Sequence, residues 1–97
     1  MATPVLKVNG QEIELQRPNM KMWRLVAEYD DKDKSGWRLA ELMEGHAAML
    51  AKMYAVNADD IDPADVLPGY VEAATYIINT ANERLKNLPK AEAEGEE

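Results

Sequence analysis

His46 is the single histidine of the chain. Chemistry built on it would need an orienting carboxylate and a nucleophile, or further nitrogen or sulfur ligands around a metal. No such partners stand at an interpretable spacing, and a histidine amid a helical apolar stripe reads as a partly buried structural or interface residue. The chain has no cysteine, which removes thiol nucleophiles, thiolate metal sites and disulfides together. Asp31-x-Asp33-x-Ser35-Gly36 matches the opening half of a calcium-binding EF-hand loop, glycine at its sixth position included. The second half fails, because the twelfth position, which should be a bidentate glutamate, is Leu42 and the eighth is Arg38. This segment reads instead as a solvated turn in which an Asp or Ser caps the following helix. With no Gly-rich phosphate loop, Ser-centred elbow or triad in the sequence, the chain reads as non-enzymatic, with no cofactor or metal expected.

What remains is surface chemistry. Eighteen acids against eleven bases give a net charge of −7, the wrong sign for gripping phosphate backbones, so nucleic acid is not expected as a partner. The charge is uneven along the sequence. Arg17, Lys21 and Arg24 form a basic stripe at helical spacing, whereas no Lys or Arg occurs between Met53 and Glu83. That stretch carries Asp59, Asp60, Asp62, Asp65, Glu72 and Glu83. Opposite patches on one molecule predict pairing between copies, a homo-oligomer in which Arg17, Lys21 and Arg24 meet the acidic loop around Asp59 and Asp60. The same acids also fit a bland role as a helix-capping loop. Five internal methionines in a chain without phenylalanine supply adaptable apolar surface. Met22, Met43 and Met53 read as core, while Trp37, Met49 and Tyr76 lie beside or off the apolar stripes and are the candidate exposed contact residues.

The elements that must position these residues follow from periodicity and punctuation. Val5–Val8 and Gln11–Leu15 alternate around Asn9-Gly10, the signature of a hairpin closed by a type I′ turn. Such a ribbon is marginal alone and must pack on the rest of the chain. A first helix is predicted from Pro18 to about Asp30, with Met22, Leu25, Val26 and Tyr29 inward and Trp23 at the edge. A second runs from about Gly36 to Val56 on a stripe of Leu39, Leu42, Met43, His46, Leu50, Met53 and Tyr54. Asp62-Pro63 caps a short helical piece reaching Leu67, and Pro68-Gly69 is expected to reset the direction of the chain. A last helix spans about Tyr70 to Leu88, with Tyr70, Val71, Ala74, Ile77, Ile78, Ala81, Leu85 and Leu88 on one face, and Pro89 stops it. The expected fold class is therefore α+β, mainly α: an N-terminal β-hairpin followed by three principal helices in a single domain (1–88), with a disordered acidic tail (89–97). The longest apolar run, Ala47 to Ala51, is far too short to span a bilayer, so no membrane partner is expected. The Met1-Ala-Thr-Pro start lacks the pattern of a signal peptide, and the cytoplasm is the expected compartment.

The order of parts resembles a known family. Val8-Asn9-Gly10-Gln11-Glu12 at the hairpin, Arg17-Pro18, the long Leu/Met-rich helix, Asp59-Asp60-Ile61 and the Glu-rich tail together resemble the short-form tail assembly chaperones of long-tailed bacteriophages of Gram-positive bacteria. The resemblance implies binding to the tape measure protein, protection of its apolar segments, recruitment of tail tube protein, residence in the host bacterial cytoplasm and absence from the mature virion. Many family members also produce a longer, frameshifted form. It carries over no fixed catalytic or binding residues. A reading from a different class is an acidic inhibitor that mimics nucleic acid in a basic enzyme channel. That role calls for carboxylates spaced regularly over one large face, whereas here they gather in one loop and a tail.

Overall fold

The structure is a computed structural model that describes residues 3–83. It opens with an antiparallel hairpin, β1 (Val5–Val8) and β2 (Gln11–Glu14), with Val5 opposite Glu14 and Val8 opposite Gln11. Asn9 (φ 51°) and Gly10 (φ 79°) both adopt the left-handed conformation that a type I′ turn demands. Alternation sends Leu6 and Val8 into the core and leaves Val5 exposed.

The ribbon is held on its second edge by the acidic loop. The Asn9 N–H donates to the Asp60 carbonyl and the Asp62 N–H to the Lys7 carbonyl, each at 3.0 Å, and Val8 bridges Ile61. The Asp65 carboxylate accepts the Lys7 N–H at 3.0 Å. The outward N–H and carbonyl of Lys7 are thus satisfied without a third strand.

Three helices follow: α1 (Met20–Asp30), α2 (Leu39–Tyr54) and α3 (Pro63–Ala81), with a 3₁₀ turn at Ala58–Asp60 before the last. The expected class, a hairpin followed by three helices in a mainly α fold, is the one observed. α1 starts two residues later than predicted because the Asn19 side chain accepts the Met22 N–H at 3.0 Å, which makes Asn19 the cap and leaves Pro18 outside the helix. Neither an Asp nor Ser35 caps α2. Asp33 closes its own turn with the Ser35 N–H and hydroxyl, and α2 begins after Arg38, whose N–H donates to the Glu41 carboxylate at 2.9 Å.

α3 is the central element, packed against α1, α2 and β1. Two expectations fail here. Pro68-Gly69 does not reset the chain, because Pro68 lies inside a continuous helix. Pro68 lies on the exposed side of α3, and Gly69 is buried where a bulkier residue would crowd the hairpin. A Cβ added at Gly69 would stand 3.2 Å from Leu6 Cδ1 and 3.7 Å from Leu50 Cδ1. That close approach also turns the inner face, which consists of Val66, Gly69, Tyr70, Ala73, Ala74 and Ile77. Val71 and Ile78, expected inward, are 61% and 40% exposed. The expected continuation to Leu85 and Leu88, the stop at Pro89 and the tail 89–97 lie outside the described residues. Among the described residues no helix is long and apolar enough to cross a membrane.

Candidate functional site

The core is sealed at one end of the α1–α3 contact and open at the other. At the sealed end, Tyr29 of α1, His46 of α2 and Tyr70 of α3 meet edge to face, with ring centroids 4.7 to 5.3 Å apart, and Trp37 closes on Tyr29 at 6.1 Å. The ring is drawn together because α2 carries Gly45 there. A Cβ at that position would lie 2.5 Å from the Tyr29 hydroxyl and 3.0 Å from the Trp37 ring.

His46 Nδ1 and the two tyrosine hydroxyls of this cluster are hydrogen-bonded. His46 Nδ1 is 2.8 Å from both the Leu42 carbonyl and the Tyr29 hydroxyl. A carbonyl only accepts, so Nδ1 carries the hydrogen and the Tyr29 oxygen shares it. The Tyr70 hydroxyl donates to Asp30 at 2.8 Å. Burial, followed by the bond to Asp30 and its negative charge, raises the Tyr70 phenol well above its ordinary value, and burial together with Asp30 raises Tyr29 as well. Lys34 covers the Tyr29 ring, with Nζ 4.7 Å from its centroid. This is a packed histidine whose neighbours hold it in place.

At the open end, the beginning of α1 and the last turn of α3 stand apart around a groove of about 470 Å³. Pro18, Met20 and Trp23 form one wall, Ile77 and Ala81 the other, with Thr80 and Asn82 at the polar rim. Met20 is 57% and Trp23 40% exposed. The cause is local: the Asn19 cap starts α1 with Met20 pointing away from the Met22–Val26–Tyr29 inner face, so nothing described covers it. Among the described residues the groove is mainly apolar and lined by no titratable side chain, and it suits an apolar side chain or one edge of a helix.

The residues singled out in the sequence distribute as follows. Met49 is buried, not an exposed contact: it falls three residues after His46 and four before Met53, and so shares the inner face of α2. Leu39, expected inward, is the residue that projects, at 68% exposure. Trp37 and Tyr76 are half-buried and packed on the core, Trp37 over Tyr29 and Tyr76 because the inner face of α3 is turned toward the hairpin. Arg17 is not part of a helical stripe. It precedes α1 and pairs with Glu83 at 3.3 Å, both side chains more than half exposed, a contact worth at most about 1 kcal/mol. Lys21 and Arg24 remain exposed on α1. Asp59 and Asp60 are exposed on the 3₁₀ turn, whereas Asp62 caps α3 through the Ala64 N–H at 3.0 Å and Asp65 holds β1.

Of the predicted contact residues the structure brings Arg17 and Tyr76 together, around a small hollow shared with Asn79, Thr80 and Glu83, and the larger groove it forms was missed. Its only signal in the sequence was Trp23 at the edge of the α1 stripe, with Met20 outside it. Among the described residues no group of three or more His, Asp or Glu is placed to hold a metal ion. Comparison with known protein families, with characterised proteins and with solved structures gives no match to this chain.

Proposed function

We propose that this protein is a non-enzymatic assembly chaperone of the phage-tail kind, one that binds the tape measure protein in the host cytoplasm, recruits tail tube subunits to it and stays out of the mature virion. The observation that supports this reading is the open groove between Pro18–Trp23 and Ile77–Asn82. An apolar cleft with a methionine and a tryptophan at its mouth takes a range of apolar surfaces, because thioether and indole accommodate differently shaped partners. With no charged pair to lock the partner, the grip is reversible, as a chaperone that hands its client on requires. The same reading has the chaperone acting as an oligomer along a long helical client, with exposed Lys21 and Arg24 of one copy meeting Asp59 and Asp60 of the next.

Co-expression with the tape measure protein encoded nearby tests the proposal. The client co-purifies with the wild-type protein and is lost from the M20S/W23S double variant, whose fold is unchanged. A neighbourhood with no gene for a very long helix-rich protein, or equal capture by both proteins, overturns it.

A further inference from the structure

On a helix that only covers a core, the face turned to water carries most of the charge. α1 and α2 follow that rule. Each exposes six residues, of which four are charged on α1 (Lys21, Arg24, Glu28 and Asp30) and three on α2 (Glu41, Glu44 and Lys52). α3 exposes eight residues, and among them Glu72 alone is charged. Opposite its inner face runs a strip of Pro68, Val71, Thr75, Ile78 and the capping Asn82, every one of them exposed, with Val71 61% and Ile78 40% open to solvent. Spacings of three, four, three and four keep these residues on one side of the helix over about 21 Å. Loss of charge around exposed aliphatic side chains is what separates the centre of a protein–protein interface from ordinary surface.

Two properties of the strip point to a second copy of this chain. The first is its symmetry about Thr75: Pro68 and Asn82 stand seven residues to either side, Val71 four before and Ile78 three after. It reads alike in both directions, as a surface that pairs with itself across a twofold axis requires. The second is charge. Asp59, Asp60, Asp62 and Asp65 gather at the start of α3, while its far end lies beside the Arg17–Glu83 pair. Parallel helices would press two acidic ends together. Antiparallel helices hold those ends about 30 Å apart, well beyond the reach of screened charges, and let only uncharged side chains meet along the strip.

We propose that two copies of this protein pair through α3, antiparallel across a twofold axis beside Thr75, with Val71 of each against Ile78 of the other. This contact uses a different surface from the pairing of Lys21 and Arg24 with Asp59 and Asp60, and it does not depend on the client-binding reading. A single helical seam is smaller than the roughly 800 Å² per partner of a standard interface, so the pair is expected to be weak, with a Kd on the order of 10 µM.

Sedimentation equilibrium of the full-length protein tests the pairing. Between about 1 and 300 µM the mass is expected to pass from monomer to dimer, to the same extent at low salt and in about 0.5 M NaCl. Val71→Glu, at an exposed position, is expected to keep the circular dichroism spectrum of the wild type and to weaken pairing at least tenfold. The chain has no cysteine, so single substitutions report the register. T75C is expected to oxidise to a disulfide dimer. V71C and I78C each cross-link little alone and form the mixed dimer when combined, because like positions in the antiparallel pair stand about 10 Å apart along the helix, beyond the span of a disulfide. A monomer at every concentration overturns the proposal, as does pairing that Val71→Glu leaves unchanged. Pairing that salt abolishes also overturns it, and assigns the association to Lys21 and Arg24 instead. V71C dimers that form as readily as the mixed dimer mean parallel helices, and overturn the antiparallel seam.

Discussion

The two ends of the α1–α3 contact are built from similar materials and differ in what finishes them. At one end Tyr29, His46, Tyr70 and Trp37 interlock, and His46 Nδ1 and both tyrosine hydroxyls are hydrogen-bonded. At the other, Pro18, Met20 and Trp23 face Ile77 and Ala81 across an unfilled groove. Aromatic content alone does not decide the outcome, since each end has a tryptophan. What decides it is whether a third element arrives. α2 brings Gly45 and His46 to the first end, while nothing described reaches the second. On the reading proposed above, a client completes the packing there.

The largest expected effect separates two adjacent isoleucines. Ile77 is 1% exposed and Ile78 40% exposed. Ile77→Asp puts an unpaired charge into the core and is expected to cost more than about 4 kcal/mol, enough to leave a domain of this size mostly unfolded. Ile78→Asp is expected to cost no more than about 1 kcal/mol, as for a substitution on a half-open surface. Circular dichroism melts of the two variants decide it, and equal loss of structure would mean that the inner face of α3 is mis-set.

A medium effect tests the sealed end. Gly45→Ala gains about 1 kcal/mol of helix propensity, but its Cβ would drive Tyr29 off His46 and press on Trp37. The net expectation is a loss of about 1–2 kcal/mol, read as a fall in melting temperature of several degrees. Gly36→Ala, with nothing within 4 Å of the new Cβ, serves as the control and is expected to change little. If Gly45→Ala stabilises the protein, the closeness of Tyr29 is not a constraint.

The open end should respond in function and hardly at all in stability. M20S/W23S removes side chains that are 57% and 40% exposed, so its melting temperature is expected to stay within about 3 °C of wild type while client capture is lost. A large drop in melting temperature together with retained capture would make these residues part of the core and remove the contrast between the two ends.

Particular residues show why the fold was legible in the sequence and the groove was not. Asn9-Gly10 needs only local sterics, and Asp62-Pro63 only a cap, so both came out as expected. Helix period also placed Met22, Val26, Tyr29, Leu50 and Met53 in the core. It could not say which side of α3 the hairpin covers. Leu6 lies against Gly69, a contact sixty-three positions apart in the sequence, and this turned Ala73 inward and Val71 and Ile78 outward. The same long-range contact lets Pro68 stay inside a helix that local rules would end. Met49 was misplaced for a smaller reason, because a stripe phased on Leu39 follows the one turn of α2 that projects past its neighbours. A groove is the space between two helix ends, and no single helix's pattern encodes it.

The smallest expected effect concerns Tyr54, whose hydroxyl is buried without a hydrogen-bond partner among the described residues. Burial, reinforced by the charges of Glu72 and Asp65, pushes its phenol up to about 12 from an ordinary value of 10.0. The folded protein therefore keeps a proton that the unfolded chain releases near pH 10, so this residue's contribution is complete below pH 10 and is lost as the pH rises from about 10 to 12. Tyr54→Phe removes the orphan oxygen and keeps the ring. At neutral pH the variant is expected to match or exceed the wild type by up to about 1 kcal/mol, since an unsatisfied hydroxyl no longer has to be buried. Between pH 10 and 12 its stability should fall less steeply, although Tyr29 and Tyr70, both also raised, keep it falling. Tyr70→Phe supplies the contrast at the sealed end, because it gives up the bond to Asp30 and is expected to lose about 1 kcal/mol at neutral pH. Urea titrations of the three proteins at pH 7 and pH 11 separate these outcomes. If Tyr54→Phe proves as damaging at pH 7 as Tyr70→Phe, the Tyr54 hydroxyl has a partner after all, and the distinction between satisfied and orphaned phenols in this core fails.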